Sequence, residues 1–151
     1  CVAANFETRP EPVAVTGSFG ILRVWSLSHF PFHWDFAGQS STVTCLSVDW
    51  ASLSVLSGCM DSTLLCGHLN LNQNLIEHKR WLRGHTAPVT CVAANWPRQR
   101  AASGGEDGMV RLWDMRRGTA LQALRGHSDH ALCIALSLEG PEEDEPDDAG
   151  G

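Results

Sequence analysis

Two stretches of the chain repeat each other at a fixed distance. Residues 84–96 read GHTAPVTCVAANW, and residues 38–50 read GQSSTVTCLSVDW. The offset is 46 residues without a gap, and both stretches share an initial Gly, the triplet Val-Thr-Cys and a final Trp. Self-similarity at a fixed period is the signature of repeat architectures, so the chain is predicted to contain stacked copies of one structural unit.

Partial copies flank these two stretches. The chain opens with CVAANF, and a further copy beginning at residue 126 reads GHSDHALCIALS. The downstream halves also match, because SGGEDGMVRLWD at residues 103–114 aligns at the same offset with SGCMDSTLLCGH at residues 57–68. TGSFGILRVWS at residues 16–26 aligns with one deletion. A unit of 42 to 46 residues has the length of a four-stranded propeller blade.

Strand signals recur within the unit that begins at residue 84. Its four short runs are rich in apolar, β-favouring or small residues and lie between turns that contain Gly. No apolar stripe of helical period lasts long enough for a helix. The predicted fold class is therefore all-β, a partial β-propeller of four-stranded antiparallel blades. The four predicted strands cover residues 89–94, 100–103, 109–113 and 120–124.

The repeat frame divides the chain into predicted blades. Residues 1–37 form a degenerate first unit that is truncated at its start, residues 38–83 a degenerate second unit, and residues 84–125 the best-matching third unit. Residues 126–138 are predicted as the first strand of a next blade, and residues 139–151 as an acidic disordered loop or tail. An open stack leaves apolar faces bare. A segment of a longer protein is therefore expected, and a self-associating short chain is the alternative.

The order Gly-His, Ser, Asp and Trp-Asp within residues 84–114 resembles the WD-repeat β-propeller family. The resemblance covers about residues 1–138 and is strongest in the third unit. It implies a hydrogen-bonded chain through the indole, the hydroxyl, the imidazole and the carboxylate of one unit, in which every buried polar group has a partner. The members of this chain in the third unit are His85, Ser103, Asp107 and Trp113.

The other two units lack members of this network. In the second unit Gln39 stands in place of the His and Gly67 in place of the Trp, and in the first unit Phe19 or its neighbour stands where the Asp is expected. Loss of both ends of the network is expected to leave no orphaned polar atom buried. The members that these units retain are Ser57, Asp61, Thr16 and Trp25.

Three members of the network are also the residue types of a catalytic triad. Ser103, His85 and Asp107 could in principle act as nucleophile, base and orienting acid. The same types recur in a repeat frame, however, and the sequence has no signature of a strained nucleophile or an oxyanion hole. The network is therefore interpreted as structural, and neither a catalytic residue nor an enzymatic activity is predicted.

The six cysteines favour free thiols over disulfides. Four of them recur at one apolar strand position, which fits small buried thiols in a reducing compartment. The predicted location is therefore intracellular, in the cytoplasm. Cys59, Cys66 and His68 match no common zinc spacing, so neither a metal nor a cofactor is predicted. The recurring cysteines are Cys1, Cys45, Cys91 and Cys133.

The net charge of −6 is unevenly distributed. Residues 79–138 carry nine Lys and Arg residues against four acidic ones, whereas residues 139–151 carry seven acidic residues and no basic one. The basic residues are spread over one unit without interleaved aromatics, which favours a solvated face over nucleic-acid binding. No run of 18 apolar residues is present, so direct insertion into a membrane is not expected.

The predicted function is a scaffold that binds other proteins through the propeller rim, without a small-molecule substrate. One alternative is a propeller appendage of a large multidomain protein, either a trafficking protein of the BEACH type or an enzyme. A less favoured alternative is nucleic-acid association through the basic third unit. Residues 29–36, HFPFHWDF, are expected to form an outermost strand, where Trp34 either packs between blades or anchors a partner. The other rim candidates are Thr86, Ala87, Pro88, Ser128, Asp129, His130, Ser41, Met60, Glu106 and Phe19.

Overall fold

The structure is a computed structural model that describes residues 1–5, 13–28 and 33–137. Within these residues every regular element is a β-strand, which confirms the all-β prediction. The predictions for residues 29–32 and for the acidic residues 139–151 fall outside the described residues. The strands in chain order are β1 (Val2–Asn5), β2 (Val13–Gly17), β3 (Phe19–Ser26), β4 (His33–Asp49), β5 (Ser54–Cys59), β6 (Thr63–Asn70), β7 (Leu75–Arg83), β8 (Val89–Asn95), β9 (Arg100–Gly105), β10 (Met109–Asp114) and β11 (Thr119–Arg125).

The described strands form two sheets in which neighbours along the chain pair antiparallel. Strands β1 to β7 make one sheet, and β8 to β11 make the other. The strand β4 belongs to two units, because residues 33–37 and Thr42 pair with β3 whereas residues 43–49 pair with β5. It therefore supplies the last strand of the first unit and the first strand of the second unit. The three units thus each contain four strands.

Two clusters of buried apolar side chains hold neighbouring units together. The first cluster includes Leu22 and Phe36 of the first unit and Val55 and Leu69 of the second. The second cluster joins Leu56, Leu64 and Leu82 of the second unit to Val89, Ala101 and Trp113 of the third. Successive residues of a strand point to opposite faces of its sheet. Neighbouring strand residues such as Val55 and Leu56 therefore reach different clusters, and the middle unit contributes to both.

The repeated triplet Val-Thr-Cys forms a joint between units. A Cβ atom placed on Gly58 would lie 2.6 Å from Cys45 Sγ and 2.6 Å from Val89 Cγ1, so only Gly fits there. The hydroxyl of Thr44 contacts the carbonyl oxygens of Gly58, at 3.0 Å, and of Val89. The second and third units are thus in contact where Gly58 of β5, the triplet of the second unit and Val89 of the third unit's triplet meet.

The same joint recurs after the third unit. A Cβ atom on Gly104 would lie 2.7 Å from Cys91 Sγ and 2.7 Å from Ala131 Cβ. Thr90 Oγ1 lies 3.0 Å from the Gly104 carbonyl oxygen and also contacts that of Ala131. Residues of the triplet therefore have one role in both copies, namely to hold the unit against the segment that follows it.

The four strands predicted for the third unit are present as β8 to β11, and each lies within two residues of its predicted bounds. The structure differs at residues 126–137, which are predicted as a strand but carry none. A strand needs a ladder of backbone hydrogen bonds with a neighbour, and no strand of the described chain pairs with this segment. Its main backbone contact is the bond from Ala131 N to Gly105 O, at 3.2 Å.

Candidate functional site

The hydrogen-bonded network of the third unit connects four side chains. The indole Nε1 of Trp113 donates to Ser103 Oγ over 2.8 Å. The same Oγ lies 2.8 Å from His85 Nε2, and His85 Nδ1 lies 2.9 Å from Asp107 Oδ2. Ser103 Oγ has one proton, which it donates to Nε2, so Nδ1 carries the ring proton and donates it to the carboxylate.

Four different segments place these side chains. His85 lies in the loop before β8, Ser103 on β9, Asp107 in the turn between β9 and β10, and Trp113 on β10. A Cβ atom on Gly105 would lie 2.8 Å from His85 Nδ1 and 2.9 Å from Asp107 Oδ1, so the approach of ring and carboxylate requires Gly there. The network therefore ties the entry loop of the unit to its central strands.

The charge states within the network follow from burial. Burial lowers the pKa of His85, and the hydrogen bond with Asp107 opposes this shift only in part. Burial alone would raise the pKa of Asp107, but hydrogen bonds from the amide of Thr86, the ring of His85 and the amide of Met109 lower it overall. At neutral pH the imidazole is therefore neutral and the carboxylate is ionised.

The geometry of Ser103 does not suit nucleophilic catalysis. Its side chain is fully buried, and its hydroxyl oxygen already accepts from Trp113 while its proton is directed at His85. A nucleophile must be accessible to its substrate. This arrangement can stabilise the fold of the unit, and it offers no exposed reacting atom.

The second unit forms only part of such a network. Ser57 Oγ donates to Gln39 Oε1 over 3.1 Å, and Cys59 Sγ lies 3.5 Å from the same oxygen. Asp61 is not drawn in, because its carboxylate bonds to Thr63 Oγ1 at 2.6 Å instead. The expectation that no polar atom is orphaned in this unit is wrong, since Gln39 Nε2 is buried without a partner in the described structure. An orphaned donor of this kind destabilises the folded state.

The first unit retains one link of the network. Trp25 Nε1 donates to Thr16 Oγ1 over 2.9 Å, so the structure brings these two predicted members together. The guanidinium of Arg23 lies 5.2 Å from the centre of the Trp25 ring and pairs with Asp35, with an Nη2 to Oδ2 distance of 2.7 Å. Phe19 precedes Gly20, whose φ of 71° matches the 69° of Gly108, as Asp107 precedes Gly108. Its side chain is apolar and 79% exposed, so it supplies no carboxylate to a network.

The predicted rim residues fall at the ends of the central strands. Met60 and Glu106 follow the second strand of their units. Met60 N donates to Thr42 O of β4, and Glu106 N donates to Pro88 O in the loop before β8, both over 2.9 Å. Phe19 faces the same Thr42, which is its Cα partner in the β3–β4 ladder. Phe19 and Met60, which are 79% and 54% exposed, therefore flank one residue; we call them the apolar rim pair.

Other rim candidates surround the third unit at the equivalent end. The backbone oxygens of His127 and Asp129 would lie 3.1 and 3.4 Å from a Cβ atom on Gly108, which brings this loop beside Asp107. The exposed members here are Thr86, Glu106, Ser128, Asp129 and His130, with Ala87 and Pro88 half-buried, as is Ser41 in the second unit.

Trp34 does not belong to this rim. It is half-buried and packs against the first core cluster. It pairs with Val24, toward the opposite end of the β3–β4 ladder from Phe19. The packing interpretation of this aromatic residue is therefore the one that its surroundings favour.

Sequence reasoning missed a cluster of arginines at the other end of the third unit. Arg98, Arg100, Arg116 and Arg117 line one cavity of about 210 Å³. The sequence shows these residues as two pairs 16 to 19 positions apart. The pairing of β9 with β10 brings the two pairs together. In the sequence, only the turn residues predicted at the ends of these strands indicate that the pairs could meet.

All six cysteines are free. Burial raises the pKa of Cys45 to about 11 and that of Cys59 to about 12, so both thiols are protonated at neutral pH. Among residues 1–5, 13–28 and 33–137, no group of three or more His, Cys, Asp or Glu side chains is placed to hold a metal ion. The part of the chain that the structure describes also contains no helix able to cross a membrane.

Comparison with known proteins identifies the repeat. Residues 76–114 match the family model described as "WD domain, G-beta repeat". This match contains the third unit's network and all of β7 except Leu75. It confirms the predicted resemblance, and with the antiparallel four-stranded units it supports propeller blades.

Several curated proteins are similar to this chain. The angio-associated migratory cell protein of Homo sapiens is 24% identical over 179 aligned residues, which cover 93% of this chain and 41% of that protein. THO complex subunit 6 of Homo sapiens is 47% identical over 54 residues, or 36% of this chain and 16% of that protein. The Lissencephaly-1 homolog of Monosiga brevicollis is 39% identical over 57 residues, or 38% of this chain and 14% of that protein. The chain thus spans less than half the length of each of these relatives.

Proposed function

We propose that this chain of WD-type repeats is a protein-binding segment of a longer propeller. Its partner docks on the apolar rim pair. The observation that carries this proposal is the exposure of Phe19 and Met60 on both sides of Thr42. Large apolar side chains exposed next to each other mark interaction sites. Burying this surface under a partner would contribute about 25 cal/mol per Å² of apolar area.

The surroundings of the pair support a protein partner. In the third unit Glu106 takes the position of Met60, and Thr86, Asp129 and His130 are exposed at that end. An apolar centre with polar residues around it is the usual anatomy of a protein interface. A partner that presents one or two apolar side chains to Phe19 and Met60, with polar groups toward the third unit, fits this arrangement.

The proposal includes a non-enzymatic role in the cell interior. The buried hydroxyl of Ser103 supports the absence of nucleophilic catalysis, and the six free thiols support a reducing compartment. Among the relatives, THO complex subunit 6 is by its name part of an assembly. No feature of the described residues specifically favours an enzymatic or trafficking appendage.

The test compares two double variants, each of which replaces two exposed apolar side chains with Ala. Phe19→Ala with Met60→Ala removes the rim pair, and Leu121→Ala with Leu124→Ala removes two other exposed apolar side chains, 52% and 41% exposed on β11. Proteins captured by the wild type are purified, and their dissociation constants are measured for each variant.

We expect the rim variant to lose at least tenfold in affinity for a captured partner, because truncation of a central apolar anchor typically costs more than 1 kcal/mol. The β11 variant should bind within twofold of the wild type. Equal binding by the wild type and the rim variant, or equal loss in both variants, would refute the proposal.

A further inference from the structure

The arginine cavity lies at the end of the third unit that faces away from the rim. Arg100 begins β9, whereas Glu106 follows the last residue of the same strand. The lining of the cavity includes four guanidinium groups and one carboxylate, that of Asp114, within a volume of about 210 Å³. The site is therefore separate from the apolar rim pair and strongly positive.

Hydrogen bonds of the backbone hold the two arginine-bearing turns together. Met115 N donates to Gln99 O over 2.9 Å, which joins the turn after β8 to the turn after β10. Arg98 N donates to Asn95 Oδ1 at 3.2 Å, and Arg117 N donates to Asp114 Oδ1 at 2.9 Å. The backbone positions of the arginines are thus fixed before any ligand arrives.

The charges of the cavity do not balance internally. Asp114 is 2% exposed and lies 3.0 Å from Arg100 Nη1 and 3.5 Å from Arg117 Nη1. Arg98 and Arg116 are exposed, and neither side chain forms an ion pair with any residue that the structure describes. Four positive groups against one negative group leave a surplus of three positive charges.

The fold of the unit does not require Arg98 and Arg116, whereas Arg100 and Arg117 pair with the buried Asp114. The second unit makes the same tie between its turns, with Leu69 N donating to Leu53 O over 2.9 Å. At the positions aligned with Arg98 and Arg100 it has Ser52 and Ser54, and its second turn, residues 71–74, contains no Lys or Arg. Arg98 and Arg116 are therefore a property of one unit that the common backbone leaves unexplained.

We propose that this cavity binds the phosphate group of a phosphorylated side chain in a partner protein. The planar guanidinium group donates two parallel hydrogen bonds to phosphate oxygens, and clusters of arginines are how proteins recognise phosphorylated segments. A compact dianion matches the charge surplus and can reach Arg98 and Arg116, whose donors are free of carboxylates.

Two other phosphate-bearing macromolecules fit the cavity less well. Single-stranded nucleic acids stack their bases on aromatic side chains, and no aromatic residue lines this cavity. A lipid surface would gain from large exposed apolar side chains beside the charge, and apart from the ring of Pro97 the lining is polar. The inference goes beyond the proposed function, because it concerns a second site at the opposite end of the unit.

The test measures binding of a fluorescent peptide that carries one phosphoserine flanked by glycine and serine, with the unphosphorylated peptide as reference. Arg98→Gln with Arg116→Gln removes the two unpaired arginines. Arg83→Gln with Arg125→Gln removes the same charge near the other end, where β7 and β11 end. Melting temperatures of all variants verify folding, and a single-stranded RNA and anionic lipid vesicles serve as competing probes.

We expect the phosphopeptide to bind at least tenfold more tightly than its unphosphorylated form. The Arg98/Arg116 variant should lose at least tenfold, the Arg83/Arg125 variant less than threefold, and millimolar inorganic phosphate should compete. Equal losses in both variants would show general charge attraction and overturn the proposal. So would wild-type binding by the Arg98/Arg116 variant, or tighter binding of RNA or vesicles than of the phosphopeptide through the same arginines.

Should the glutamine variant fail to fold, Arg98→Lys with Arg116→Lys is measured instead. Lysine keeps the charge but not the planar pair of donors, so binding weaker than wild type is expected. Full wild-type affinity of this lysine variant would overturn the proposal that guanidinium groups recognise the phosphate.

Discussion

The second and third units share a backbone conformation and differ in their buried side chains. Both tie their turns with a bond of 2.9 Å, from Leu69 N to Leu53 O and from Met115 N to Gln99 O, and both place the accepting residue at a φ of 52°. The third unit closes a network from Trp113 to Asp107, whereas the second leaves Gln39 Nε2 without a partner. The frame of a unit therefore survives loss of the network.

This difference separates two contributions to stability. The glycine joint, the paired turns and the buried clusters occur in both units, so they define the frame. The network adds satisfied polar contacts in one unit only, and it is the part whose removal should distinguish the units. Three changes test this comparison.

The largest effect is expected for Trp113→Ala. The side chain is fully buried in the second core cluster and donates to Ser103. Its removal leaves a cavity and takes away the donor to Ser103 Oγ, and should cost about 3–5 kcal/mol of the free energy of unfolding. Denaturant titration measures this loss. Trp25→Ala is the control: it removes a half-buried indole and should cost clearly less, and an equal loss would contradict the central place given to Trp113.

Two substitutions, one in each unit, should change the free energy of unfolding in different directions. His85→Gln gives the third unit the residue of the second and separates Ser103 from Asp107, with an expected loss of about 1–3 kcal/mol. Gln39→Leu removes the orphaned amide, and Ser57 can still donate to Leu65 O at 3.3 Å. That variant should be neutral or stabilised by about 1 kcal/mol. Destabilisation by Gln39→Leu as large as that by His85→Gln would show that the amide has an undetected role.

The smallest effect is a dependence of stability on pH that belongs to the third unit. Burial lowers the pKa of His85 in the folded state, below the value of about 6.5 in the unfolded chain. As the pH falls from 7.5 to 5.5, the unfolded state takes up the proton first, so stability present above the unfolded pKa is lost. The difference between wild type and His85→Gln should shrink over this range, whereas Gln39→Leu should follow the wild type. A constant difference would contradict the neutral imidazole.

The sequence was sufficient for the strands of the third unit because each apolar run ends at a turn residue. Gly108 and Gly118, which separate the last three strands, have φ values of 69° and 73°. The network members were also identifiable by spacing, since Ser103 and Trp113 lie on neighbouring strands of one hairpin. Local signals and the repeat frame agreed at these positions.

Features that depend on tertiary pairing could not be read in the same way. Residues 126–137 have the composition of a strand but no neighbour with which to pair in the described chain. The orphaned amide of Gln39 depends on what surrounds it rather than on its own position in the repeat. The arginine cavity arises because the chain folds back between Gln99 and Met115, a contact that linear spacing does not reveal.

The joint formed by Gly58, Cys45 and Val89 also has a consequence for symmetry. It connects two different surfaces of successive units, so the contact is heterologous, and each repetition applies a similar rotation. The same small groups recur at Gly104, Cys91 and Ala131. At both joints the approach of successive units therefore depends on a glycine that has no side chain. A bulkier side chain at either glycine would change the angle between units, and with it the number of units that a closed assembly can contain.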